Sequence, residues 1–235
     1  MLPIDLVQKI GFLVDLDPAE REAIANLPVL EEDVGAKRDF LQPGDTPTFL
    51  YMVVSGWAAR YGLRANGSRR ITGFLLPGDF CGIHAVTSSA MDHAVLALTD
   101  CRVAKIDRDA MGALVGQYPS VGVALWRAKL VEEAILRRWL LKTTDSLQVI
   151  SHMLCELHAR SALVGHANGS ACLMPLTQEE IGDAAGITGV HTNRVIQRLR
   201  HEQLIDLQHR RLTILNLPKL RRTARFDPSY LRPWR

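Results

Sequence analysis

The chain has 235 residues, 47% of them hydrophobic and 23% charged, an ordinary balance for a globular protein and enough to bury two modest cores or one large one. It contains no run of about 18 apolar residues, and its opening MLPIDLVQKI lacks the basic-then-apolar layout of a signal peptide, so no membrane partner is expected. Net charge is only +3, yet residues 191–235 hold 11 Lys+Arg against 3 Asp+Glu, a balance of +8 that leaves −5 for residues 1–190; a polyanion would dock at the C-terminal end.

In chain order, residues 1–28 read as helical, with Asp17 as N-cap, Pro18 at the first helical position and AEREAIAN running on to Pro28. From about residue 29 the texture becomes β. FLYMVVSG, WAARYGLR, RRITGFLL, AVLALTD and CRVAKID are short runs punctuated by Pro43-Gly44, Asn66-Gly67 and Pro77-Gly78, the spacing of an antiparallel sandwich or barrel ending near residue 107. Asn66-Gly67 signals a type I′ hairpin. Asp107 caps a short helix, DRDAMGALVGQY, and Pro119 opens a longer one to about Lys142. Its stripe Val121, Leu125, Ala128, Ile135 and Trp139 suits core packing or a subunit interface. Thr144 or Asp145 starts SLQVISHMLCELHARSAL, whose Leu147, Ile150, Leu154 and Leu157 would pack behind the stretch Leu176–Ile205. Asn168-Gly169 marks a loop.

Leu176–Ile205 carries the most information. Thr177 with Glu180 forms a T-x-x-E capping box, Ile181, Ala184 and Ala185 give one apolar face, and Gly186 permits the left-handed turn that ends the helix. Thr188 caps a second helix whose Val195 and Leu199 face the first. Two helices this short need a third behind them, which makes a helix-turn-helix, with the second helix addressed to the major groove. LIDLQ, the basic turn His209–Arg211 and LTILNL then form a β-hairpin wing. Beyond Pro218 the basic tail is expected to hold a short helix and then loose chain.

A β domain, a long helix and a winged helix-turn-helix in this order resemble the Crp/Fnr family of bacterial transcription regulators. The residues that carry the likeness are LTQEEIGDAAGITGVHTNRVIQRLRHEQLI, the turns Leu41-Gln42-Pro43-Gly44-Asp45 and Leu76-Pro77-Gly78-Asp79-Phe80, and ALTDCRVAKID. The resemblance implies an α+β protein: a jelly-roll-like sensor domain over residues 1–117, a central dimerisation helix over 118–143, a winged helix-turn-helix over 144–217 and a basic tail over 218–235. It also implies a cytoplasmic homodimer on double-stranded DNA with a palindromic target, and RNA polymerase as a further candidate partner.

Departures from the family pattern concern the signal. Cyclic-nucleotide-binding members hold the ligand with a glutamate and an arginine whose positions here fall on Ile83 and Met91; neither can replace a carboxylate on a ribose hydroxyl or a guanidinium on a phosphate. Ordinary cAMP binding is therefore not expected. Residues 1–80 contain no cysteine, which excludes the iron–sulfur cluster of oxygen-sensing relatives in its familiar form. His84, Asp92 and His93 gather near the vacated pocket, where they suit a metal, an anionic ligand or plain structural hydrogen bonding; no metal set is assigned. His152, Cys155 and His158 rotate about 60° per step around a helix, an awkward set for one ion. The four scattered cysteines, Cys81, Cys101, Cys155 and Cys172, include no C-x-x-C pair and suit a reduced compartment, with Cys81 a buried apolar group or a redox thiol.

On DNA, the family's guanine-reading arginine corresponds to Arg194. Val190 can touch a thymine methyl, and His191 and Thr188 can donate to base edges or phosphate. Arg198, His201, Arg210 and Arg211 suit phosphate contacts that position the helix. The expectation is a dimeric regulator under an unidentified signal or none. A regulator that binds a cyclic nucleotide in an atypical pose is the alternative; an enzyme with an appended DNA-binding domain finds no nucleophile–base or phosphate-loop motif, and a DNA-organising protein fits a single recognition helix poorly.

Overall fold

A computed structural model describes residues 6–87, 89–141 and 145–232. The chain divides into two compact units, one of Met1–Gly62 with Phe74–Glu132 and the other of Leu63–Gly73 with Glu133–Arg235.

The first unit opens with helices α1 (Leu6–Leu13) and α2 (Pro18–Ala25). As expected, Asp17 caps α2 with Pro18 behind it, and a capping box closes with Glu20: the Glu20 amide donates to Asp17 and the Asp17 amide to Glu20, each at 2.8 Å. The β region comprises β1 (Val29–Val34), β2 (Asp39–Leu41), β3 (Phe49–Ser55), β4 (Ala58–Leu63), β5 (Arg69–Leu75), β6 (Phe80–Cys81), β7 (Ala94–Ala97) and β8 (Cys101–Asp107), with a 3-10 helix, η1 (Ile83–Thr87), between β6 and β7. They form two four-stranded sheets, in the orders β1-β8-β3-β6 and β2-β7-β4-β5, whose resolved pairings are antiparallel. The inward residues of both, among them Val34, Val53, Leu75, Val95 and Val103, meet in one buried cluster. On β8 Arg102 is exposed and Lys105 half-buried, and they pair with Asp33 and Glu32 of β1 at 3.0 and 2.9 Å.

The β4–β5 hairpin forms where Asn66-Gly67 placed it, but its turn is not type I′. That turn needs positive φ at both central residues, and only Gly67 has it, at 79°. The Gly67 amide closes the turn on the Arg64 carbonyl at 2.8 Å, and the Asn66 side chain accepts from the Ser68 amide at 3.0 Å instead.

Helix α3 (Arg108–Gln117) is capped by Asp107, and Pro119 opens α4 (Pro119–Leu140), 22 residues or about 33 Å long. Val121, Leu125, Ile135 and Trp139 are buried within the chain and Ala128 is half-buried, so the stripe read from the sequence is core, not the free face of the helix. The opposite face keeps Val123, Trp126 and Leu140 exposed. Lys142 and Thr144, named as a helix end and a helix start, lie outside the described residues.

In the second unit Asp145 caps α5 (Ser146–Leu163), whose Ile150, Leu154 and Leu157 are fully buried and whose Leu147 is half-buried. Helices α6 (Gln178–Ala185) and α7 (Gly189–His201) come after a short hairpin of β9 (Ala167–Asn168) and β10 (Ala171–Leu173). Strands β11 (Ile205–Gln208) and β12 (Arg211–Ile214) complete a sheet in the order β11-β12-β10-β9. The hairpin end included in this unit sets Arg69 on Asp183 of α6 at 2.8 Å. The loop at Asn168-Gly169 is thus the tip of the small β9–β10 hairpin.

The tail corrects the expectation of loose chain. After α8 (Leu217–Ala224) a 3-10 helix, η2 (Pro228–Leu231), buries Tyr230 and Leu231, and Phe226 is buried too. The Tyr230 hydroxyl donates to Glu156 on α5 at 2.9 Å and lies 3.1 Å from His152 Nε2. The Trp139 indole N–H donates to the same Glu156 oxygen at 3.1 Å. A carboxylate in the interior requires such partners, and these join the tail, α5 and the last turn of α4.

Candidate nucleic-acid interface

The outward face of α7 is set by what its neighbours bury. Thr177 and Glu180 close the capping box that starts α6, with N···O distances of 2.8 and 3.2 Å, and Gly186 ends it in the left-handed region at φ 77°. The Thr188 hydroxyl then accepts from the His191 amide at 3.2 Å and starts α7. Thr192, Val195, Ile196 and Leu199 are buried, each apolar one stabilising the unit by about 1.5–3 kcal/mol. Geometry leaves Val190, His191, Asn193, Arg194, Gln197, Arg198 and His201 facing solvent.

These side chains differ in what they have left to offer. Arg194 makes no hydrogen bond or ion pair with any described residue, so its whole donor fork is available. Val190 is 68% exposed, an apolar group held in solvent. His191 Nε2 lies 2.8 Å from the Ser146 hydroxyl at the start of α5, which leaves one ring nitrogen. Thr188 accepts one bond at the cap and keeps its proton. Arg198 pairs with Glu202 at 2.9 Å, an exposed i, i+4 bridge worth only about 0.3–0.5 kcal/mol and readily exchanged for a phosphate. Asn193 and Gln197 carry no signal of their own in the sequence; their steps from Arg194 along the helix are what place them on this face.

The wing is β11 and β12 joined by His209 and Arg210, with φ of 51° and 59°. Both central residues are left-handed, the requirement of a type I′ turn, although neither is glycine or asparagine. Arg211 is the first residue of β12, not part of the turn. The Met174 amide donates to the Arg210 carbonyl at 2.8 Å and anchors the turn to the sheet, while Arg210 and Arg211 remain exposed.

Residues 149–223 match the Crp-like helix-turn-helix domain and residues 34–118 the cyclic nucleotide-binding domain. The transcriptional activator protein FnrL of Cereibacter sphaeroides is 30% identical over 177 residues, 73% of this chain and 71% of FnrL. The chain belongs to the Crp/Fnr family. The nitrogen fixation regulation protein FixK of Azorhizobium caulinodans is 27% identical over 168 residues, 71% of this chain and 67% of FixK. The structure of FixK2 from Bradyrhizobium japonicum has the same fold, with a TM-score of 0.76 at 22% identity over 84% of this chain and 98% of that one. As a Crp/Fnr protein the chain is a DNA-binding transcription regulator and not an enzyme. No helix among the described residues is long and apolar enough to cross a membrane.

In this Crp/Fnr chain the residues expected around an effector pocket behave differently from one another. Met91 is buried in the apolar cluster of the first unit, its amide donating to the Asp45 carbonyl at 2.8 Å, and Ile83 is half-buried on η1. His84, Asp92 and His93 do come together, with Asp92 Oδ1 2.6 Å from His93 Nδ1 and 3.4 Å from His84 Nε2. The hydrogen bond from His93 holds the Asp92 carboxyl below the usual carboxylate range. Burial lowers His93 despite Asp92, so its ring favours the neutral form.

Two alternatives lose their chemistry here. The His158 ring is 3.1 Å from the Gly169 carbonyl, and His152 faces Tyr230 and Glu156, so His152, Cys155 and His158 do not converge. All four cysteines are buried and unpaired, and burial pushes the Cys81 thiol up to about 12; a group so rarely ionised is a poor redox sensor.

Proposed function

We propose that the chain acts as a homodimer that reads an inverted-repeat DNA site, with Arg194 of each copy reading a base and the wing arginines holding phosphates. The observation that carries this reading is the face of α7. An arginine unpaired among the described residues stands between an exposed valine and an exposed glutamine, on a helix whose other side is locked into the unit. Arg198, His201, Arg210 and Arg211 border it as phosphate contacts; Thr188 and His191, each with part of its hydrogen-bonding capacity engaged, add polar contacts at the helix start.

Dimerisation finds support on α4. Val123, Trp126, half-buried Leu130 and Leu140 follow heptad spacing, and the two intervening positions hold Glu133 and Arg137, paired at 3.0 Å. Trp126 is 65% exposed, a large apolar surface that a second copy of the helix would cover. Two copies of α7 would then stand about 34 Å apart, one turn of B-DNA. The chain works under an unidentified signal or none, and ordinary cAMP capture is not that signal, because Ile83 and Met91 supply neither carboxylate nor guanidinium. RNA polymerase is the partner through which a bound regulator would act on transcription.

Selection of bound duplexes from a random pool tests the reading: an inverted repeat is expected. Arg194→Ala should cost about 1–3 kcal/mol on the selected site and flatten preference at one base position in each half. An equal loss on every sequence would reduce Arg194 to a phosphate contact. Sedimentation of Trp126→Glu should show a monomer where the parent is a dimer.

A further inference from the structure

Helix η1 brings His84, and the segment entering β7 brings Asp92 and His93, to one place on the first unit. One ligand atom from each residue can be chosen so that all three lie within 4.8 Å of one another. The two rings stand 5.5 Å apart at 63°, facing the same carboxylate from two directions. A single oxygen, Asp92 Oδ1, serves both rings, at 2.6 and 3.4 Å. The other nitrogens, His84 Nδ1 and His93 Nε2, are buried without a hydrogen-bond partner among the described residues.

We propose that His84, Asp92 and His93 bind a divalent transition-metal ion of the zinc, cobalt and nickel class. Ligand atoms at about 2.1 Å from such an ion stand roughly 3.0–3.4 Å apart when adjacent; the His84–Asp92 separation already has that spacing, and the shorter His93–Asp92 one opens to it when an ion replaces the hydrogen bond. Neither ring is held by a second hydrogen bond against the small rotation that ligation requires. Two imidazole nitrogens and one carboxylate oxygen suit borderline ions, whereas calcium and magnesium take oxygen sets and copper(I) takes sulfur. The Asp92 side chain is 80% exposed, which opens a path to solvent and leaves further coordination positions for water. Arg60 is the nearby cation that would oppose a metal, and its charge is met by Glu132 at 3.0 Å. The site does not depend on the DNA reading, since occupancy is measured without DNA.

The test titrates the full-length, metal-stripped protein with Zn²⁺ and Co²⁺. One ion per chain should be retained, and the cobalt form should show visible d–d absorption without thiolate charge-transfer bands. Asp92→Asn and His93→Gln should each weaken binding by more than about tenfold, and His158→Gln should leave it unchanged. Asp92 is exposed, so its variant reports on ligation without threatening the fold; circular dichroism checks both. Failure of the parent to retain an ion, undiminished binding in Asp92→Asn and His93→Gln, or thiolate bands in the cobalt spectrum would overturn the assignment.

Discussion

Replacing Gly182 by alanine probes how closely α6 and α7 approach. A Cβ there would sit 2.7 Å from the Ile187 carbonyl oxygen and 3.1 Å from Thr192 Oγ1. The first is backbone, and the turn that carries it is tied down: the amides of Gly186 and Ile187 both donate to the Gly182 carbonyl, at 2.7 and 3.0 Å. Relief therefore requires α7 itself to move by several tenths of an ångström. Overpacking of this kind costs about 1–3 kcal/mol, while alanine in a helix returns up to about 1 kcal/mol. The net expectation is a loss of about 1–2 kcal/mol, read as a lower urea midpoint at unchanged slope by far-UV circular dichroism. Because α7 moves, affinity for the selected DNA site should also fall. Gly189→Ala is the matched control, since its Cβ would meet nothing nearer than 3.8 Å, and its stability should stay within about 0.5 kcal/mol of the parent. A Gly182→Ala protein as stable as the parent would refute the reasoning about close approach.

Arg210→Gly relieves a left-handed residue in the wing and should raise stability by up to about 1 kcal/mol while lowering the salt slope of DNA binding by about one unit; Arg211→Ala should lower the slope without the stability gain. Burial raises the Glu156 carboxyl above its usual 4.5, against Arg160 and the hydrogen bonds from Trp139 and Tyr230, so the folded chain holds this proton more tightly than the unfolded one. Its contribution is full below about pH 4.5 and lost as pH rises through the higher folded value; urea midpoints across that range should lose this component in Glu156→Gln. Burial raises the thiol values of all four cysteines, with Cys81 and Cys155 up to about 12 and Cys172 up to about 11, so a thiol reagent at pH 8 should label the native protein slowly and all four sites in denaturant.

Local features are legible in the sequence where their physics is local. The Thr177–Glu180 box and the caps at Asp17, Asp107, Asp145 and Thr188 each depend on residues a few positions apart, and the structure has each in place. Where two patterns compete, spacing alone does not choose. Helix α4 carries apolar residues on both faces at helical steps; which stripe is core depends on what lies beside it, and Val121–Trp139 is the inner one. The tail departs from its expectation for a related reason. A run of arginines suggests loose chain, but Phe226 and Tyr230 find His152 and Glu156 more than seventy residues earlier. Asn66-Gly67 announces a turn correctly, while its type is decided by the Ser68 hydrogen bonds to Asn66.

The DNA-reading helix shows the same division. Capping and apolar periodicity determine by themselves that Leu176–Ile205 is two helices around a glycine turn, because hydrogen-bond satisfaction and side-chain burial act within one or two turns of chain. Only the tertiary structure decides which donors remain for a ligand. Arg194 is unpaired among the described residues, His191 is engaged by Ser146, Arg198 by Glu202, and the wing turn holds two left-handed residues. The same holds for His84, Asp92 and His93, whose convergence depends on where η1 and the start of β7 are packed. Availability of a polar group is a property of everything that surrounds it, and those surroundings come from distant parts of the chain.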